Sequence, residues 1–209
     1  MNQINYQKQL DALLGTLKDT HPHLFLHSCC APCSSYVLEY LCHFFHITVF
    51  YYNPNISALA EYQKRAEEQK RLIQAYNEEG KGLPIRLVDG DYEPGRFLDV
   101  AKGLETCPEG GERCFKCFHL RLEETARRAV QQGADFFGTT LTISPLKNAA
   151  KINEIGGTLG AAYKVPWLPS DFKKRDGYKR SVALSKEYGL YRQDYCGCAY
   201  SRRQQTGEQ

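Results

Sequence analysis

The stretch His27-Ser28-Cys29-Cys30-Ala31-Pro32-Cys33-Ser34 places three thiols within five residues, between a short apolar run and a segment of helical spacing. Before it, His23-Leu24-Phe25-Leu26-His27 has strand length; after it, Ser35-Tyr36-Val37-Leu38-Glu39-Tyr40-Leu41 has the length and spacing of a helix. The thiols are therefore predicted at the carboxyl end of a strand and the amino end of a helix. Unpaired N–H groups and the helix dipole at such an end favour negative charge and lower the pKa of a nearby thiol. Thiolate is the form that binds metal or attacks. Consecutive cysteines point to opposite faces of a regular strand, so Cys29 and Cys30 reach one centre only if the backbone bends between them, and Pro32 suits such a bend. One cysteine here would read as a small buried apolar residue. Three, beside a proline and Ser34, read as a chemical centre.

Outward from this stretch, Ile47-Thr48-Val49-Phe50-Tyr51-Tyr52 is a second strand, closed by the turn Asn53-Pro54-Asn55. A helix is predicted over residues 57–79, capped by Ser57, with Tyr62, Ala66, Gln69, Ile73 and Tyr76 on one face. Lys64, Arg65, Glu67, Glu68, Lys70 and Arg71 crowd its other faces as solvated charges, and Gly80 and Gly82 end it. Pro84-Ile85-Arg86-Leu87-Val88 is a third strand running into the acidic turn Asp89-Gly90-Asp91-Tyr92-Glu93-Pro94. Asp91 thus falls near a strand's carboxyl end, where open α/β sheets place their sites; its alternative role is to cap the turn. Phe136-Phe137-Gly138-Thr139-Thr140 is a fourth strand, followed by the polar loop Leu141-Thr142-Ile143-Ser144-Pro145-Leu146-Lys147-Asn148. Its hydroxyls and lysine suit a phosphate or a ribose; alternatively Ser144 caps the next helix. Gly156-Gly157-Thr158-Leu159-Gly160 looks like a nucleotide loop but follows no strand, so it carries little weight. Residues 165–169 form a short strand or extended segment, and a helix over 178–188 ends at Gly189. This alternation predicts a doubly wound, mostly parallel α/β sheet in a single domain over residues 1–209.

Two more cysteine clusters fall near the same sheet edge. In Cys107-Pro108-Glu109-Gly110-Gly111-Glu112-Arg113-Cys114-Phe115-Lys116-Cys117, a helix beginning near Cys114 puts Cys114 and Cys117 on one face of its first turn. With Cys29 and Cys30 they make a set of four thiolates able to chelate one metal centre. In Tyr191-Arg192-Gln193-Asp194-Tyr195-Cys196-Gly197-Cys198 the glycine lets the backbone tighten, so Cys196 and Cys198 could cycle between dithiol and disulfide, or serve as two further metal ligands. The roles of Cys42 and Cys107 are not legible.

At 209 residues, 42% hydrophobic and 24% charged, the chain has the composition of a soluble globular protein with a sizeable core. No run approaches the roughly 18 apolar residues that span a bilayer. The start MNQINYQKQL lacks a signal-peptide pattern, so a cytoplasmic protein with no membrane partner is expected. Nine cysteines are many for such a compartment, and an odd number excludes a fully paired disulfide framework, which leaves metal binding or redox chemistry. Of the net charge of +3, residues 170–203 carry +5, with nine basic residues against four acidic. This basic C-terminal segment, about 170–205, would meet an anionic partner such as RNA, or be a solvated surface.

Taken together, these motifs resemble the QueH-type epoxyqueuosine reductases over nearly the whole length. The resemblance is carried by His27-Ser28-Cys29-Cys30-Ala31-Pro32-Cys33, Tyr51-Tyr52-Asn53-Pro54-Asn55-Ile56, Arg113-Cys114-Phe115-Lys116-Cys117 with Arg121, Thr139-Thr140-Leu141-Thr142-Ile143-Ser144-Pro145 with Lys147, Asp171-Phe172-Lys173-Lys174, and residues 191–198. It implies an oxidoreductase of the last step of queuosine biosynthesis, which removes the epoxide oxygen of epoxyqueuosine in the wobble position of tRNA without cobalamin. The implied fold is similar to that of the PP-loop (HUP) enzymes, with Cys29-Cys30-Ala31-Pro32-Cys33 where those carry a phosphate loop, which argues against ATP. The implied site residues are Cys29, Cys30, Cys114 and Cys117 on a [4Fe-4S] cluster and Cys196 with Cys198 as a redox-active pair. An additional iron near the cluster, with an aspartate ligand, is also implied; Cys33, Asp91 and Asp194 are its candidate ligands, with Asp91 a candidate catalytic residue. An electron donor is required but not identified. The rival expectation is a zinc-stabilised RNA-binding module without catalysis, because four-cysteine sets bind zinc readily. A radical enzyme using S-adenosylmethionine is disfavoured, since Tyr36 stands where its third cysteine would be.

Overall fold

Alternation of side chains along each strand decides which helices cover which face of the sheet. The computed structural model describes residues 4–17 and 20–201. Its elements are α1 Tyr6–Thr16, β1 His23–Ser28, α2 Ala31–Leu41, β2 His46–Tyr51, α3 Leu59–Glu78, β3 Arg86–Asp89, α4 Pro94–Ala101, α5 Glu112–Gln131, β4 Phe136–Thr139, α6 Ala149–Tyr163 and α7 Gly177–Glu187. The four strands are parallel in the order β3-β2-β1-β4. Leu24 of β1 stands opposite Ile47 on one side and Phe136 on the other. Leu24, Leu26, Ile47 and Val49 face the helices α1, α2 and α3 through Leu10, Leu14, Leu38, Leu72 and Ile73. Phe25, Phe50 and Phe137 face α5 and α6 through Phe118, Leu122, Ile152 and Leu159. A doubly wound α/β sheet follows, as the sequence predicts, and each fully buried Leu or Phe contributes roughly 1.5–3 kcal/mol by leaving water. Among the described residues no helix is long and apolar enough to cross a membrane.

Some local expectations change. Helix α3 starts after Ala58, not Ser57, because the Ser57 hydroxyl is committed elsewhere: it accepts from the Ala199 N–H at 2.8 Å. Arg65 is not a solvated charge of that helix. It is 2% exposed and points inward with Gln69, because its guanidinium is held by Glu61 at 2.6 Å. Asn148 caps α6 by accepting from the Lys151 N–H at 3.0 Å, whereas Ser144 accepts from the Leu146 N–H one turn earlier. Residues 165–169 are extended and touch the sheet through a single bridge, Phe137 to Trp167. Helices α1 and α4 have no counterpart in the sequence reading. In the basic segment, Lys173 pairs with Asp171, Arg175 with Asp11 and Arg180 with Glu39, so much of its charge is spent within the fold. Arg202, Arg203 and the rest of that segment to residue 205 lie outside the described residues.

The run Gly156-Gly157-Thr158-Leu159-Gly160 lies inside α6, where its glycines serve packing. A Cβ on Gly156 would sit 2.3 Å from the Trp167 ring, which is fixed by its Nε1–H donating to Asn153 Oδ1 at 3.0 Å. A Cβ on Gly157 meets nothing within 4 Å. We predict opposite signs for two adjacent substitutions. Gly156→Ala destabilises by about 1–3 kcal/mol through overpacking, and Gly157→Ala stabilises by up to ~1 kcal/mol through helix propensity. Chemical denaturation of both variants checks this; equal shifts would contradict the packing account.

Candidate thiol-rich active site

At the end of β1 the chain turns directly into α2, and Cys30 takes the N-cap position with extended backbone (φ −175°, ψ 159°). This turn lets consecutive cysteines converge. The Cys29 and Cys30 sulfurs are 3.7 Å apart, and those of Cys29, Cys30 and Cys33 all lie within 4.8 Å of one another. The turn is anchored from below. The hydroxyls of Ser28 and Ser34 meet Gln69 Oε1 at 2.7 and 2.8 Å, and Asn53 Nδ2 donates to the Ser28 carbonyl at 2.9 Å. Hydrogen bonds from the Cys30 and Cys33 thiols hold the Cys29 pKa well below the ordinary thiol value against burial, aided by Lys147 and Arg121. The same bonding to Cys29, together with burial, pushes Cys30 up to about 12 and Cys33 up as well. The group thus holds one thiolate and two thiols, with its negative charge at the amino end of α2.

The second cluster lies on α5, which begins at Glu112, so Cys114 and Cys117 stand in its first turns. Cys114 Sγ accepts from the Gly110 N–H at 3.3 Å, and Cys117 is buried. Burial raises the pKa of both thiols, that of Cys117 to about 11. The third cluster is the loop holding Cys196 and Cys198. Gly197 has φ +107°, the region that favours glycine, and a Cβ there would meet Ile56 at 2.9 Å. Arg65 donates to the Cys196 and Tyr195 carbonyls at 3.2 and 3.4 Å, and the Ser57 N–H donates to the Gly197 carbonyl at 3.1 Å. A hydrogen bond from Cys198 lowers the Cys196 pKa to about 5, against burial and with help from Lys147 and Arg121. Bonding to that thiolate raises Cys198, which packs behind it against Phe97, Cys117 and Leu120.

A cleft of ≈ 320 Å³ is lined by cysteines of the first and third clusters, its wall including Cys29, Cys33, Arg121, Lys147, Asp194 and Cys196. Arg121 joins all three regions, because its guanidinium touches Cys117 of α5 at 4.0 Å, His27 of β1 at 3.3 Å and Asn53 beyond β2 at 2.5 Å. His27 is fully buried, and burial followed by the Arg121 charge lowers its pKa to about 3, so it stays neutral. His27 Nε2 lies 3.3 Å from Arg121 Nε and 3.1 Å from the Tyr52 carbonyl, so it accepts from the guanidinium in one tautomer and donates to the carbonyl in the other, while Nδ1 bonds Thr139 Oγ1 at 2.8 Å in both. Lys147 keeps its charge because the thiolates of Cys196 and Cys29 outweigh its burial.

Of the residues singled out in the sequence, Cys29, Cys33, Asp194 and Cys196 line the cleft; Cys30, Cys114, Cys117 and Cys198 are not on its wall. Asp91 is not on the wall either. Its side chain is 76% exposed and pairs with Arg128 at 3.5 Å, because the turn after β3 carries it toward α5. Cys42 lies in the core under Gly82, far along α2 from the other thiols. Cys107 belongs to a loop whose carbonyls are gathered by the buried Arg113, which bonds Leu104, Glu105 and Cys107. The sequence reading gave no role to Arg65, and none to Arg121 beyond its place in a motif. Arg121 follows Cys117 by four residues, the spacing that puts two helical side chains on one face, so a signal for it was present.

Comparison with known proteins gives the family. A family model described as "Epoxyqueuosine reductase QueH" matches residues 24–204. A protein of that name from Staphylococcus epidermidis is 42% identical over 207 residues, covering 97% of this chain and 87% of its own length. One from Streptococcus pyogenes is 42% identical over 205 residues, covering 97% and 80%. One from Thermotoga maritima is 37% identical over 194 residues, covering 88% and 94%. With a family match spanning nearly all of the sheet and its helices, and relatives 42% identical over 97% of its length, this chain belongs to the QueH family of epoxyqueuosine reductases.

Proposed function

We propose that this chain reduces epoxyqueuosine to queuosine in the wobble position of tRNA, independently of cobalamin and with a [4Fe-4S] cluster held by Cys29, Cys30, Cys114 and Cys117. The observation that carries the reading is the donor set itself. Thiols from the end of β1 and from α5 flank Arg121, a buried cation with no salt bridge among the described residues, so the place suits anionic charge. When bound, such a cluster supplies electrons one at a time to a two-electron reduction. Cys33 and Asp194, both on the cleft wall, are the residues of this chain suited to a further iron; Asp91, paired with Arg128, is less suited.

Removing the epoxide oxygen breaks two carbon–oxygen bonds and consumes two electrons and two protons, giving an alkene and water. The Cys196–Cys198 dithiol matches this demand, since closing its disulfide releases two electrons, and an external donor restores the dithiol. Cys196 carries the thiolate and faces the cleft, while Cys198 holds its proton behind it. Arg121 and Lys147 bring positive charge to the cleft wall, which favours negative charge on the departing oxygen. Tyr178 and Tyr195 line the same wall and suit stacking on a base extruded from a single-stranded loop. Lys174, Lys179, Lys186 and Arg192 are exposed and make no salt bridge among the described residues, which fits them for the RNA backbone.

The test is anaerobic reconstitution with iron and sulfide, then mass analysis of nucleosides from epoxyqueuosine-containing tRNA. We expect loss of one oxygen from the modified base, and Cys114→Ser should abolish both the brown cluster absorbance and turnover. Zinc at one per chain, no iron or sulfide and unchanged tRNA would instead support a non-catalytic RNA-binding module. In metal-free protein, alkylation of Cys196 should stay fast at neutral pH and fall only as pH drops through about 5. Cys198→Ala removes the hydrogen bond responsible and should move that midpoint up toward the ordinary thiol range. Mass spectrometry of the alkylated peptide across pH reads both; an unmoved midpoint would contradict the assigned cause.

A further inference from the structure

Arg121 is 1% exposed, and among the described residues its guanidinium meets only atoms that carry no negative charge unless a thiol ionises: His27 Nε2, Asn53 Oδ1 and Cys117 Sγ. Among the described residues it forms no salt bridge, whereas buried Arg65 has Glu61. Lys147 adds a second cationic side chain on the same wall. The Cys117 sulfur accepts from the guanidinium at 4.0 Å, and the cleft wall that holds Arg121 also carries Cys29 and Cys196, with Glu109 and Asp194. A buried arginine with no salt bridge among the described residues is thus directed at sulfur through Cys117.

We propose that Arg121 is the positioning residue that sets the reduction potential of the cluster, with Nη1–H aimed at Cys117 Sγ and its unpaired charge facing the thiolates. The inference rests on the cluster reading of the preceding subsection. Each electron accepted makes an iron–sulfur group one charge more negative, and a fixed neighbouring cation stabilises that added charge. Hydrogen bonds to the sulfurs act in the same direction. A residue that merely ties β1, β2 and α5 together would change stability when removed but not the potential.

The experiment is a mediator-buffered dithionite titration, followed by electron paramagnetic resonance, of reconstituted wild type, Arg121→Met and Arg121→Lys. Arg121→Met should make the one-electron reduction at least tenfold less favourable, about 59 mV, and Arg121→Lys should recover part of the loss by keeping the charge. Wild-type protein grown with guanidino-¹⁵N-arginine should show nitrogen hyperfine coupling in the reduced state, and this measurement does not depend on either variant folding. A loaded Arg121→Met protein whose reduction equilibrium changes by less than tenfold overturns the proposal. So does absence of ¹⁵N coupling when the variants do not load. Wild type that takes up no iron and sulfide overturns the cluster reading and this inference with it.

Discussion

Burying the Arg121 guanidinium with no salt bridge among the described residues is the constraint on which the rest of this site depends. The effective penalty for an unpaired ion in a protein interior is several kcal/mol, and here it is met by sulfur. Arg121 lies where the carboxyl ends of β1 and β2 meet the first turns of α5, and it holds one residue from each. The neutral state of His27, the low pKa of Cys29 and that of Cys196 all follow in part from this one charge. The fold supplies the place: a parallel sheet with helices on both faces leaves a crevice at its carboxyl edge, lined by strand ends and helix amino ends.

The two halves of the site are built differently. The Cys29-Cys30-Cys33 group is fixed by backbone, because α2 starts where β1 stops and the Ser28, Ser34 and Gln69 side chains lock the turn from beneath. The Cys196–Cys198 loop belongs to no regular element and is held by side chains reaching from β2's end and α3: Asn55, Ser57 and Arg65. That difference suits the roles proposed for them. A metal-holding group gains from rigidity, whereas a pair that opens and closes a disulfide needs a loop able to adjust.

Legibility in the sequence tracked how local each signal was. The strands at residues 24, 48, 85 and 136 were readable because β-branched and aromatic runs end at strong turn residues, and the cysteine clusters because their spacing is short. Arg65 is not legible as an inward residue because a helix crowded with charges gives no sign of which one turns in; besides the local Glu61, the distant carbonyls of Tyr195 and Cys196 hold it. Asp91 looked well placed on a strand-end argument, but the turn's direction, set by Arg128 on α5, carries it away from the cleft. The glycine run at 156–160 imitated a nucleotide loop because composition does not reveal the Trp167 ring against which Gly156 packs.

The account turns on whether thiols from the β1 end and from α5 serve one inorganic group. Diffraction at the iron absorption edge from crystals of the anaerobically reconstituted protein tests this directly. The account predicts anomalous density bounded by Cys29 and Cys30 on one side and by Cys114 and Cys117 on the other, next to Arg121. Iron confined to Cys29, Cys30 and Cys33, with Cys114 and Cys117 bearing no metal, would contradict it.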